Sequence, residues 1–482
     1  MKELIKQAEQ GDAKSQVALA MAYLQGEGVE ENLEKAFHWF SKAAELENLD
    51  AKYLLALCYE NGYGTEEDTH KAFKLYNILA EEGIAEAQDN LGRCFDEGVG
   101  TEVNHEMAFY WYRKAAEQDY ADSQFNLGVC YERGKGTEID LEEAFKWYLL
   151  AAEQNHAFSQ FNVGLCYAKG WGTPIDLEKA FQYYLSSAEL GDVYGQNNVA
   201  TCYKRGIGTD INLEKAFNWY KIAAEGGDIY APYNVAICYE LGEGTSVNLK
   251  EALEWYKYSA EQGYADSQFN LAVCYERGKG TEIDLEEAFK WYLLAAEQNH
   301  AFSQFNVGLC YAKGWGTPID LEKAFQYYLS SAELGDVYGQ NNVAICYEKG
   351  LGTAVNYEKA FNWYKIAAEG GDIYAPHNVG VCYEFGKGTS IDLKEALGWY
   401  KYSAEQGNVY SQYRTALFYE EGKGTDVNLM EAYQWYRQAA EQGHELSIEK
   451  VKALEKLFNN NRLKDSNTSQ KKSFFGKLFN KR

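Results

Sequence analysis

Ten cysteines share one register: Cys58, Cys94, Cys130, Cys166, Cys202, Cys238, Cys274, Cys310, Cys346 and Cys382, each 36 residues from the next and each just before an aromatic residue. Thiols can pair, hold a metal or attack a substrate, and which of these they do depends on their distances and surroundings. In stacked helices, equivalent residues of neighbouring units lie about 9–10 Å apart, whereas a disulfide needs Cα atoms within roughly 7 Å. The spacing therefore predicts reduced thiols that serve as small core residues. The histidines, His38, His70, His105, His156, His300, His377 and His444, form no His-x-x-x-His pair, and only His156, His300 and His444 share a register. No metal and no cofactor are expected from them. Gly134-Lys135-Gly136-Thr137 is repeated at 278 and echoed at 386 and 422. It lacks the adjacent Gly-Lys-Thr of a phosphate-binding loop and follows a helical segment, so it reads as a turn. No Ser, His and Asp set can be assembled, and the chain is not expected to be an enzyme.

The elements that carry these residues follow from a strict period. A Gly-x-Gly pair begins at Gly26 and recurs every 36 residues, at Gly62, Gly98, Gly134 and onward to Gly422, without insertion or deletion. Fixed self-similarity of this length marks a solenoid, because one unit cannot bury its apolar face alone. Before each pair, positions such as Ser123, Leu127, Gly128, Cys130 and Tyr131 share one helical face. Six residues after the first glycine stands Asn32, Asp68, Asn104, Asp140, Asp176, Asn212, Asn248, Asp284, Asp320, Asn356, Asp392 or Asn428, each placed to cap a second helix. That helix carries Leu141, Ala144, Phe145, Tyr148 and Ala152 as an apolar stripe. The expected fold is all-α: a right-handed α/α superhelical solenoid of twelve 36-residue helix-turn-helix repeats over 12–444. Residues 1–11 and 445–458 are expected as capping helices, and 459–482 as a disordered linker and basic-aromatic tail.

The pattern small-x-x-x-Leu-Gly/Ala-x-x-Tyr-x-x-Gly-x-Gly is followed by Asp/Asn-x-x-x-Ala-Phe-x-Trp-Tyr-x-x-Ala-Ala-Glu-x-Gly. One copy reads Ser123-Gln124-Phe125-Asn126-Leu127-Gly128-Val129-Cys130-Tyr131, then Asp140-Leu141-Glu142-Glu143-Ala144-Phe145-Lys146-Trp147-Tyr148. It resembles the Sel-one-like repeat, a relative of the tetratricopeptide repeat. The resemblance implies a protein-protein interaction scaffold or adaptor that binds partner segments along a concave face. In a secreted, cysteine-rich branch of that family, paired cysteines clip each repeat and some members bind or cleave penicillin-type compounds. The second cysteine is missing from every unit here, which puts a hydrolase acting on β-lactam-type amides in doubt.

Composition narrows the partners. The chain has 23 Phe, 40 Tyr and 11 Trp but only 4 Pro, enough aromatic surface for a large core. The formal net charge is −26. A body that acidic repels phosphate backbones, so nucleic acid is excluded and basic or neutral protein surfaces are favoured. Met1-Lys2-Glu3-Leu4-Ile5-Lys6-Gln7 has no apolar leader core, and no apolar run approaches the roughly 18 residues of a spanning helix. A cytoplasmic location is expected. Residues 120–263 and 264–407 align without gaps and differ at sixteen positions, so binding features should occur twice, 144 residues apart.

Candidate contact residues lie on the side of the first helix that the fold does not dictate. Asn90, Asn126, Asn162, Asn198, Asn234, Asn270, Asn306, Asn342 and Asn378 occupy one register in nine consecutive units. A side-chain amide can pair with both the N–H and the C=O of an extended peptide; the alternative is a bond to the adjacent unit. Beside them stand Phe125, Phe158, Phe161, Tyr194, Tyr230, Tyr233, Phe269, Phe302, Phe305, Tyr338 and Tyr374. These read either as pockets for apolar partner side chains or as packing between neighbouring units. In the tail, Lys471, Lys472, Phe474, Phe475, Lys477, Leu478 and Phe479 interleave cations with apolar residues. Such a segment suits an anionic membrane surface, making a membrane-tethered adaptor, or a partner, or the chain's own acidic groove.

Overall fold

The computed structural model describes residues 1–459. Described residues are helical or in turns, with no strand among them. They fall into two compact halves, Met1–Val247 and the part from Asn248 onward. A short helix, Lys2–Glu9, precedes twelve helix pairs such as Ala121–Arg133 with Leu141–Glu153, and a last helix covers residues 445–459.

Each helix begins and ends for a local reason. All twelve Asn or Asp residues expected as caps accept a backbone N–H from the first turn of a second helix; Asp140 takes those of Glu142 and Glu143. Their side-chain oxygens satisfy amides that otherwise lack partners. Every first helix of a pair stops at a left-handed glycine, and beyond it the Lys135 N–H donates to the Cys130 carbonyl at 3.0 Å, closing a Schellman turn. The second glycine of the pair does a different job. A Cβ on Gly172 would lie 1.9 Å from the Leu141 carbonyl oxygen, so this turn presses its backbone onto the start of the preceding repeat's second helix.

The core is shared between successive repeats. Ala144, Tyr148 and Ala152 of one pair bury against Val163 and Cys166 of the next. Phe145 meets Tyr167 edge-on at 5.3 Å, and the same Phe–Tyr contact returns at Phe181–Tyr203, Phe217–Tyr239, Phe289–Tyr311, Phe325–Tyr347 and Phe361–Tyr383. A buried glutamine ties the stack polar-side as well. Gln88, Gln124, Gln160, Gln196, Gln268, Gln304, Gln340 and Gln412 each donate from Nε2 to a last-turn carbonyl of the helix before, for example Gln88 to Ala80 at 3.0 Å. Within a repeat, the buried tyrosine hydroxyl donates to a glutamate near the end of the first helix, as Tyr148 to Glu132 and Tyr364 to Glu348. These devices hold the first helices in register and so fix the surface they present.

Candidate functional site

Along each first helix the residues facing away from the second helix recur with the repeat. The nine asparagines are all half-buried. For Asn198, Asn306 and Asn342 the side-chain nitrogen donates to the carbonyl four residues back, at 2.7–2.9 Å. Their side-chain oxygens take no donor among the described residues. Others reach the preceding repeat: Asn126 donates to Asp89, Asn234 to Asn197 and Asn378 to Asn341, while Asn90 bonds the Tyr53 hydroxyl. Asn270 donates to the Asp266 carbonyl. The ladder is therefore partly spent on its own fold through the N–H groups, and it offers mainly carbonyl oxygens outward.

The aromatic set divides into two layers. Phe125, Phe161, Phe269 and Phe305 are half-buried and lean on the core rings of Tyr148, Tyr184, Tyr292 and Tyr328 at 5.7–5.9 Å. Tyr233 is likewise half-buried. Over that layer lie Phe158, Tyr194, Phe302 and Tyr338, each 5.9–6.4 Å from the ring 33 residues before it. These four, with Tyr230 and Tyr374, keep 45–56% of their surface exposed. Packing between repeats accounts for the inner layer; the outer rings cover it and face outward. Tyr410 belongs to the outer register and is 67% exposed. It escaped the sequence reading although its register alone would have found it.

One rung has added chemistry, and it occurs in both halves. His156 caps its helix by accepting the Ser159 N–H at Nδ1, which leaves Nε2 to donate toward Asp122, 3.3 Å away. Its ring packs 5.2 Å from Phe125. His300, Ser303, Asp266 and Phe269 repeat this arrangement. Burial holds both imidazoles below their usual pKa, opposed by the neighbouring aspartate, so the neutral form that caps the helix is the favoured one.

The ten cysteines are buried, and none is joined in a disulfide among the described residues. Burial pushes the Cys130 and Cys166 thiols up to about 12 and Cys58 up to about 11. Among the described residues no three His, Cys, Asp or Glu side chains are placed to share a metal ion, and no helix is long and apolar enough to cross a membrane. Trp171 and Trp315, in the Gly-Trp-Gly turns, are 37% and 39% exposed. The tail residues Lys471, Lys472, Phe474, Phe475, Lys477, Leu478 and Phe479 lie outside the described residues.

A file of capped helix pairs, stacked by shared cores and showing the same face in repeat after repeat, defines an α-helical tandem-repeat protein of the solenoid class. The chain belongs to the Sel1 repeat family, whose model matches twelve consecutive segments from 13–48 through 409–444. It is similar to c5321 of uropathogenic Escherichia coli, described as a protective antigen displaying an SLR fold, at 32% identity and a TM-score of 0.75, over 95% of this chain and 97% of that one. A Sel1 repeat protein from Oxalobacter formigenes is 28% identical with a TM-score of 0.52, over 63% of this chain and 88% of that one. Among curated proteins none matches the chain.

Proposed function

We propose that this chain is a cytoplasmic interaction scaffold whose first-helix face holds segments of basic or neutral partner proteins. The observation that carries the reading is the outer layer of rings at Phe158, Tyr194, Tyr230, Phe302, Tyr338 and Tyr374, each 45–56% exposed and adjoining a half-buried asparagine. Rings give a partner's apolar side chains a flat contact at low entropic cost. The asparagine oxygens accept backbone N–H groups without reading the partner's sequence. The face is general in its chemistry, which suits an adaptor.

The thiols support a role without bond making. A nucleophilic cysteine is an exposed one with a lowered pKa, whereas these are buried, and Cys58 and Cys130 are raised to about 11 and about 12.

The test replaces Asn162, Asn198 and Asn234 with alanine and compares partner recovery with thermal stability. Recovery should fall about tenfold or more, equivalent to roughly 1.4 kcal/mol, while the melting temperature stays near that of the parent. Unchanged recovery, or loss only alongside unfolding, removes the reading.

A further inference from the structure

A notch opens in the second-helix surface where the tenth and eleventh repeats meet. Between the helices Tyr357–Glu369 and Leu393–Glu405, the residues Ala368, Glu369, Glu395, Gly398, Trp399 and Tyr402 line a cleft of about 440 Å³. The glycine sets it apart. In the other eleven repeats the register of Gly398 holds a full side chain, among them His38, Lys146, Glu254, Lys290 and Gln434. Gly398 stands inside a helix, where glycine is a poor helix former, and a Cβ on it would meet nothing within 4 Å. Packing therefore does not call for glycine here; what the glycine provides is open space beside the rings. The duplicated block supplies the contrast. Trp255 and Tyr258 meet edge-on at 6.1 Å, as Trp399 and Tyr402 do at 6.2 Å, but the residue before Trp255 is Glu254.

We propose that this cleft takes the ammonium end of a lysine side chain from a partner protein. Trp399 is half-buried and Tyr402 is 45% exposed, and such rings attract a cation through their electron-rich faces. Glu369 and Glu395, both exposed, bring two carboxylates to the same cleft, where each can accept a charge-assisted hydrogen bond. The chain shows this pairing within itself. In the first repeat the register of Trp399 is Trp39 and that of Tyr402 is Lys42, whose ammonium lies 5.0 Å from the centre of the Trp39 ring. In the eleventh repeat tyrosine takes the place of that lysine, so a cation for this ring has to arrive from outside the helix. Lys365 and Lys401 pair along their own helices, with Glu369 at 3.9 Å and Glu405 at 4.0 Å. Exposed pairs of that length are weak, which leaves Glu369 able to accept a further donor. The cleft belongs to second helices, so the site stands whether or not partners use the asparagine face.

Fluorine NMR of the full chain carrying 5-fluorotryptophan tests it, with the Trp399 and Trp255 resonances assigned from Trp399→Phe and Trp255→Phe. The probes are N-acetyl-lysine methylamide and its uncharged norleucine analogue. The lysine compound should shift the Trp399 resonance saturably, bind about fivefold more tightly than the norleucine compound, and move Trp255 less. Gly398→Gln should abolish the Trp399 shift while keeping or raising the melting temperature, because its side chain enters open space and removes a helical glycine. A Glu369→Gln, Glu395→Gln chain, altered only at exposed carboxylates, should narrow the difference between the two compounds. Equal shifts at Trp399 and Trp255 overturn the inference in favour of a general attraction of cations to an acidic surface. Equal affinity for the two compounds in the parent overturns it in favour of apolar contact alone. Unchanged binding in Gly398→Gln places the lysine somewhere other than the cleft and overturns it as well.

Discussion

At Gly172 an alanine methyl group would sit 1.9 Å from the Leu141 carbonyl, on a backbone with φ of +67°. Gly28 holds the same place in its own repeat, yet a Cβ there meets only the flexible end of Met1 at 3.3 Å. Gly172→Ala should therefore cost about 3 kcal/mol or more, from overpacking and left-handed strain together, and Gly28→Ala only the strain of about 1–2 kcal/mol. Denaturant melts of the two variants would separate them, and equal losses would show that the turn does not clamp repeats together. A neighbouring contrast already exists in the chain. Gly128 lies against the Tyr148 ring, where a Cβ would come within 2.6 Å, while repeat eight places Ala272 at that position against Tyr292. A ring can shift where a backbone carbonyl cannot. The Gly-x-Gly period was plain in the sequence, but the difference between its two glycines was not. The first needs a local left-handed turn; the second is constrained by the backbone of another repeat.

At the scale of elements, the glutamine that bridges successive helices is satisfied unevenly. Gln88, Gln124, Gln268 and Gln412 accept at Oε1 from a glutamine thirty residues later, at 2.8–2.9 Å. Where that later residue is Leu190, Gly226, Leu334 or Gly370, the oxygens of Gln160, Gln196, Gln304 and Gln340 stay buried without a protein donor. Leu190→Gln and Leu334→Gln should each restore the bond and stabilise their half by about 1 kcal/mol, read as a raised unfolding midpoint; a lowered one would contradict the pairing. The Tyr–Glu contacts add a pH dependence. Burial pushes Glu348 up, but hydrogen bonds from Lys387 and Tyr364 outweigh it and leave the carboxyl below its ordinary value. A depressed carboxylate stabilises the fold above its unfolded pKa, near 4.3, and that contribution is lost as pH falls through the folded value. Glu348→Gln should flatten the loss of stability below about pH 5, and an unaltered pH profile would count against the contact. Helix ends and the paired stripes could be read from periodicity and capping residues. The glutamine bridge could not, because a polar residue at a core register looks like a defect until the carbonyls it meets are known.

For the whole molecule, the duplicated block places the same rung in each compact half: Asp122, Phe125, His156 and Phe158 in one, Asp266, Phe269, His300 and Phe302 in the other. The repeat order and the first-helix face were legible because identity of register survives stacking. Which aromatics face outward was not, since Phe125 and Phe158 are the same residue type and differ only in whether a core tyrosine lies beneath them. Outward facing is what the scaffold reading depends on. Its most direct test is a photo-cross-linking amino acid placed singly at Phe158, at Phe302, and at Lys146 and Lys290 on exposed second-helix surface, each in the full chain exposed to native cell extract. The scaffold reading predicts the same partner captured from Phe158 and Phe302 and little from the lysine positions. Equal capture from all four sites, or capture from the lysines alone, would contradict it.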